Sequence, residues 1–420
     1  EAQIEATKTL SGKNLTDGQF TFELTAAKGT PMPEADADGK VIVTNDAAGK
    51  VVFPAINYKL KDVEDTENGE KTFTYTVREV VETREEGYIY DEVERTVTVT
   101  VSLIKNEVTG IKELVASVNN GVVPEFKNYY VTDASAPIEV IKNLEGKAIA
   151  DQQFTFVLKD SNGTVVETVK NDGNGVVKFT PITYKLADMA DAVEGKKTYT
   201  YTVNEVVEKA AAGYIYDETV HTVTVIVAQN ADNQLTTTVN YADGEKPTIT
   251  NIYVEPEPGV IKATKTLEGA DLQDEQFTFT LTGEDGAPMP VGTVDGVFTK
   301  KNDGQGNIVF PEILFTLEDM KDAVNGVKEF NYTVREVLGN AEGYIYDDTV
   351  YTVTMVVKQD SETKQLSVEV KNNVVPGFIN YYVTPEPGQI KATKTLKGAD
   401  LQNEQFTFTL TGEDGAPMPV

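Results

Sequence analysis

Hydrophobic and polar positions alternate along most of this chain. In three kinds of segment a polar residue interrupts the apolar side. Ile4-Glu5-Ala6-Thr7-Lys8-Thr9-Leu10 puts Ile4, Ala6, Lys8 and Leu10 on one face of a strand, with Glu5, Thr7 and Thr9 on the other. A second segment gathers Phe73, Tyr75, Val77, Glu79 and Val81, and a third gathers Phe126, Asn128 and Tyr130. Lys and Glu are almost never buried alone, because an unpaired buried charge is very costly. The pattern therefore predicts strands whose inward faces carry a lysine, a glutamate and an asparagine.

The arrangement recurs. Lys142, Lys265 and Lys394 occupy the place of Lys8, each leading to a Phe-Thr-Phe strand at 20–22, 154–156, 277–279 and 406–408. Glu205 and Glu336 repeat Glu79, each followed by Gly-Tyr-Ile-Tyr-Asp at 87–91, 213–217 and 343–347. Asn251 and Asn380 repeat Asn128. An alternating strand with Val93, Arg95, Val97, Val99 and Val101 on one face leads by a hairpin to the asparagine strand. Pro- and acid-containing joints at 133–137, 255–258 and 385–387 read as stiff, extended connections with little room to pair as strands. The expected domains are three repeats, 1–132, 133–254 and 255–384, with 385–420 the N-terminal fragment of a fourth. Residues 390–420 differ from 261–291 only at Lys397 and Asn403, so the native array is expected to be longer.

Between these strands, turn-rich stretches such as Asn171-Asp172-Gly173-Asn174-Gly175 and Asp36-Ala37-Asp38-Gly39 resemble calcium loops at first sight. They lack the twelve-position ligand spacing with a terminal Glu, so they read as hairpin turns. The acidic pieces around Asp188 and Asp319 read as solvated crossovers with at most one helical turn.

Composition narrows the function. The abundance of Thr, Val, Tyr and Phe favours strand over helix, giving an all-β chain. A net charge of −30 argues against nucleic acid as a partner. The absence of cysteine excludes disulfides, thiolate metal sites and cysteine nucleophiles. No apolar run is long enough for a membrane span. Glu1 leads straight into the first strand, so the chain reads as an excerpt whose address signals lie elsewhere. The single histidine, His221, shares its slot with Arg95 and Tyr351, which suits a tolerant strand position. No phosphate loop, catalytic triad or metal-ligand cluster stands out, so neither an ordinary enzyme nor a cofactor or metal is expected.

Thr-Lys-Thr-Leu at the start, Tyr-Thr-Val-Arg-Glu followed by Gly-Tyr-Ile-Tyr-Asp, and Phe-Lys-Asn-Tyr-Tyr at the end together resemble the isopeptide-containing domains of Gram-positive pilins and surface adhesins, of the streptococcal major-pilin type. The resemblance implies tandem immunoglobulin-like sandwiches joined by short Pro/Glu linkers. It also implies covalent bonds from Lys8 to Asn128, Lys142 to Asn251 and Lys265 to Asn380, promoted by Glu79, Glu205 and Glu336. Lys394 lacks a following Glu or Asn strand and is expected to stay unlinked. Repeat two departs slightly, with Ile-Lys-Asn-Leu and Thr-Asn-Ile-Tyr, but keeps strand parity.

Burial gives this chemistry a basis. An apolar core disfavours the ammonium and frees an amine to attack, and it favours a protonated carboxyl. Such a carboxyl could polarise the asparagine carbonyl and move protons from the amine to the departing ammonia. The event is a single self-modification without turnover. A buried Lys–Glu ion pair, hydrogen-bonded by Asn, would use the same residues without chemistry.

The resulting expectation is a tension-bearing stalk on a bacterial surface, outside the cell and wall-anchored through a region beyond this segment. Its partners are neighbouring repeats of the same chain. The alternative is an adhesin whose Tyr-rich loops bind host protein or glycan, although recurrence of those loops in every repeat fits corner packing better.

Overall fold

β-Branched and aromatic residues at every second position build paired strands throughout. The computed structural model describes residues 1–64, 66, 69–118 and 121–419. Glu1–Glu255 forms one compact unit and Pro256–Val420 a second.

The first unit holds two β-sandwiches. In the first, a four-stranded sheet runs Lys50–Val52, Glu5–Ser11, Glu125–Tyr130, Tyr88–Ile89. It faces a five-stranded sheet ordered Val41–Thr44, Thr21–Ala26, Glu70–Val80, Arg95–Lys105, Lys112–Val118. The second sandwich repeats both orders, with Glu139–Glu145 beside Thr248–Tyr253 in the smaller sheet and Lys196–Val206 central in the larger. The second unit contains a third copy, with Lys262–Glu268 beside Gly377–Tyr382 and Val327–Glu336 central. The chain is thus a series of tandem immunoglobulin-like sandwiches. Among the described residues, 384–419 contain no strand.

Parity decides what each strand buries. Ile4, Ala6 and Lys8 are buried, as are Tyr75, Val77 and Glu79, and Phe126 and Asn128. Val97, Val99 and Val101 also point inward, but Val93 lies ahead of its strand and is exposed. The first and last strands of each sandwich pair in parallel, with Lys8 opposite Phe126 and Leu10 opposite Asn128. A parallel pair needs a long crossover, and here nearly the whole repeat supplies it.

Two expectations need correction. Two of the three joints do pair as strands: Ala134–Ala136 runs antiparallel to Ile182–Tyr184, and Glu257–Gly259 to Ile313–Phe315, whereas 385–387 has no strand. The small residues explain how they fit. Ala136 is fully buried, and a side chain on Gly259 would lie 2.3 Å from the Met355 methyl carbon. The acidic crossovers make the single turn expected of them but are not wholly solvated. Leu186–Met189 and Leu317–Met320 each form one 3₁₀ turn that buries its methionine, and Asp188 and Asp319 accept the main-chain N–H that opens the turn.

Candidate functional site

The polar intruders meet inside each sandwich. Lys8 and Asn128 come from adjacent strands of the smaller sheet, and Glu79 comes from the central strand of the sheet that faces it. Lys8 Nζ lies 2.5 Å from Glu79 Oε2, and Asn128 Nδ2 donates to Glu79 Oε1 at 2.6 Å. In the third repeat Lys265 donates to Glu336 Oε2 at 2.7 Å and Asn380 Nδ2 donates to Oε1 at 2.7 Å. In the second, Asn251 Nδ2 donates to Glu205 Oε1 at 2.8 Å. Lys142 Nζ is also 2.8 Å from Glu205 Oε2, but neither atom has hydrogen-bond alignment, so that contact is ionic. All nine residues are buried.

An aromatic ring closes the amine side. Nζ sits over Phe20 at 4.5 Å, Phe154 at 4.8 Å and Phe277 at 4.7 Å in the three repeats. Loss of water around the amine outweighs the pull of the glutamate and holds Lys8, Lys142 and Lys265 below the ordinary lysine range. The arrangement therefore combines an amine biased toward its neutral form, an amide, and a carboxyl group touching both. Lys394 is exposed, and its Nζ lies over Phe406 at 4.6 Å.

Glutamate does not reach the asparagine carbonyl, contrary to the role expected for it. Its two oxygens meet the amine and the amide nitrogen. The carbonyl Oδ1 instead accepts the main-chain N–H of the Asp that ends Gly-Tyr-Ile-Tyr-Asp. Asp91 donates to Asn128 at 2.7 Å, Asp217 to Asn251 at 2.9 Å and Asp347 to Asn380 at 2.7 Å. Burial pushes the Asp347 carboxyl up, but hydrogen bonds from Thr349 and Ile379 outweigh it and hold it below the usual range.

The turns resembling calcium loops use their own acceptors. Asp46, Asp172 and Asp303 each accept two N–H groups within the turn. Asn45, Asn171 and Asn302 are buried braces the sequence reading missed. Each accepts the N–H of the first Phe of Phe-Thr-Phe, at 2.8 Å from Phe20, 2.7 Å from Phe154 and 2.8 Å from Phe277. Each also donates to two main-chain carbonyls. The Tyr-rich corner is occupied too: Tyr88 and Tyr90 pack on Phe20, and Tyr88 packs on Tyr130. His221 begins its strand at the register of Arg95, and its Nε2 is buried without a hydrogen-bond partner.

The family model described as FctA, the Spy0128-like isopeptide containing domain, matches residues 4–131, 138–254 and 261–383. Among solved structures, the major pilin from Streptococcus pyogenes is similar at 16% identity over 59% of this chain and 99% of that one, with a TM-score of 0.25. BcpA, the major pilin subunit of Bacillus cereus, is similar at 15% identity over 91% of this chain and 99% of that one, with a TM-score of 0.22. The Bacillus anthracis TIE protein is similar at 16% identity over 91% of this chain, which spans 51% of that protein's chain, with a TM-score of 0.18. No curated protein sequence matches the chain.

Proposed function

The chain belongs to the Spy0128-like isopeptide-containing domain family, and from that premise we propose that it is a pilin-like stalk segment whose three complete repeats each crosslink themselves once. The bonds join Lys8 to Asn128, Lys142 to Asn251 and Lys265 to Asn380. The observation that carries this reading is the bridging carboxyl group, with one oxygen on the amine and the other on the amide nitrogen in every repeat.

The steps balance within the triad. The lysine ammonium gives one proton to the glutamate carboxylate and becomes a neutral amine. Nζ attacks Cγ, and the carbonyl electrons move onto Oδ1. Those electrons return as the Cγ–Nδ2 bond breaks, and Nδ2 takes a second lysine proton to leave as ammonia. The products are a secondary amide, ammonia and a protonated glutamate. Folding supplies proximity, worth ~7–11 kcal/mol of barrier in well-oriented intramolecular reactions. A crosslink over ~100 residues restrains the unfolded chain by about 4.7 kcal/mol in the loop-entropy account.

As a member of a pilin-like family, the chain is placed by this reading outside the cell, on a Gram-positive surface and anchored to the wall through another region. No helix among the described residues is long and apolar enough to cross a membrane. The packed state of Tyr88 and Tyr90 gives the adhesin alternative no support.

The intact mass of the folded chain tests the crosslinks. Three missing ammonia molecules are expected, and Glu79→Ala should leave only two missing. A mass equal to that of the sequence would leave a buried polar network and remove the covalent reading.

A further inference from the structure

In all three repeats the same main-chain N–H, that of Asp91, Asp217 or Asp347, is aimed at the asparagine Oδ1. Neither the glutamate nor the lysine reaches that oxygen, yet it carries the negative charge when Nζ adds to Cγ. A main-chain donor held in a dry site stabilises such charge most when it is fixed beforehand.

The aspartate side chain does the fixing. Oδ2 accepts the N–H of the residue just before the asparagine: Lys127 at 3.1 Å, Thr250 at 3.1 Å and Ile379 at 2.9 Å. Oδ1 accepts the N–H two residues further along its own loop: Val93 at 3.2 Å, Thr219 at 3.0 Å and Thr349 at 3.0 Å. One carboxylate thus ties the loop to itself and to the asparagine strand, and leaves its own N–H pointing at Oδ1.

We infer that Asp91, Asp217 and Asp347 are positioning residues for crosslinking, whose side chains hold a one-donor oxyanion site formed by their own main-chain N–H. This rests on the crosslinking reading above, and the bonds made and broken are those already given. The aspartate exchanges no proton. Its effect is on the rate of bond formation, since the site completes only as the loop docks on the last strand.

Repeat three is the cleanest place for a test, because Asp91 also pairs with Arg95 at 2.8 Å and Asp217 faces His221, whereas Tyr351 at that slot donates to the Gly377 carbonyl. The full chain would be synthesised in a cell-free extract and sampled over time. Peptide mass would follow ammonia loss separately in each repeat, with repeats one and two as internal controls. Asp347→Ala should slow bond formation in repeat three roughly tenfold or more, since misplacing a reacting group by about 1 Å can cost ~10²-fold. Asp347→Asn, which keeps an acceptor oxygen, should recover part of the rate. Hydrogen-exchange protection of the Glu336 strand, compared in a Lys265→Ala background with and without Asp347→Ala, should be unchanged.

Wild-type rate in Asp347→Ala overturns the inference, as does slowing that simply tracks lost protection and is not rescued by Asn. Should Asp347→Ala leave repeat three unfolded, Asp347→Asn decides alone: slowed bonding supports the inference, and wild-type rate overturns it. Absence of ammonia loss in the wild-type repeat would instead defeat the crosslinking reading itself, and the inference with it.

Discussion

Lys265 has its amine against the Phe277 ring and the Glu336 carboxyl group, and its pKa lies below the ordinary lysine value because water is excluded. The sign of the pH effect follows. Between the lowered folded pKa and the ordinary unfolded one, the unfolded chain binds more protons, so stability rises with pH in that window. A crosslinked lysine no longer titrates, so the effect belongs to the unlinked state. In Asn380→Ala, stability of repeat three should therefore rise with pH across that window. Tyr332 opposes this at the alkaline end, because burial raises its pKa and its ionisation favours unfolding. Denaturant titrations of Asn380→Ala against Lys265→Met/Asn380→Ala at several pH values cancel the tyrosine. A difference that falls with rising pH would refute the assignment. At this scale, strand parity alone exposes Lys8, Glu79 and Asn128 as misfits on apolar faces. The Asp91 N–H was not legible, because a main-chain donor leaves no trace in residue type.

Turns that look like ion sites seat the lysine strand. Gly306 has φ of +86°, and its carbonyl accepts the Lys265 N–H at 2.7 Å. A β-carbon there would lie 2.2 Å from the Lys265 carbonyl oxygen, and the same approach recurs at Gly49 and Gly175. Gly306→Ala should destabilise repeat three by about 1–3 kcal/mol from backbone strain alone, and should also slow its crosslinking by displacing Lys265. Hydrogen exchange and peptide mass on one sample would check both. The alternation of Tyr75, Val77 and Glu79 made the long central strand legible, and the Gly and Asp of these turns marked the hairpins. The buried role of Asn171 and Asn302 was hidden because Asn-Asp-Gly is ordinary turn chemistry wherever it occurs. The first linker strand was hidden for a related reason. Proline argues against pairing in general, but Ala134–Ala136 lies just ahead of Pro137 and keeps its donors.

Within the first unit Gln234 bridges the two sandwiches. Gln234 donates to the Tyr130 carbonyl at 2.9 Å and accepts from the Thr132 N–H and hydroxyl at 3.2 and 2.9 Å. Lys185 pairs with Glu86 at 2.9 Å alongside. Gln234→Ala should loosen this joint while leaving both sandwiches folded. Because the chain has no cysteine, one introduced in each of the two repeats can be spin-labelled without background. A distance distribution unchanged in width would show that Gln234 does not hold the joint. Joint residues of this kind were not legible in advance, since a single half-buried glutamine in a hairpin has no pattern to betray it.

The parallel register of the first and last strands has one more consequence. Thr7 to Ser11 lie alongside Glu125 to Tyr129, rung by rung and in the same direction. A pull on the leading end of one and the trailing end of the other slides the two past each other in shear. Every rung then bears load together, whereas an antiparallel hairpin pulled at its open end unzips one rung at a time. The strand order thus gives each sandwich a shear geometry through hydrogen bonds alone, independently of any covalent bond.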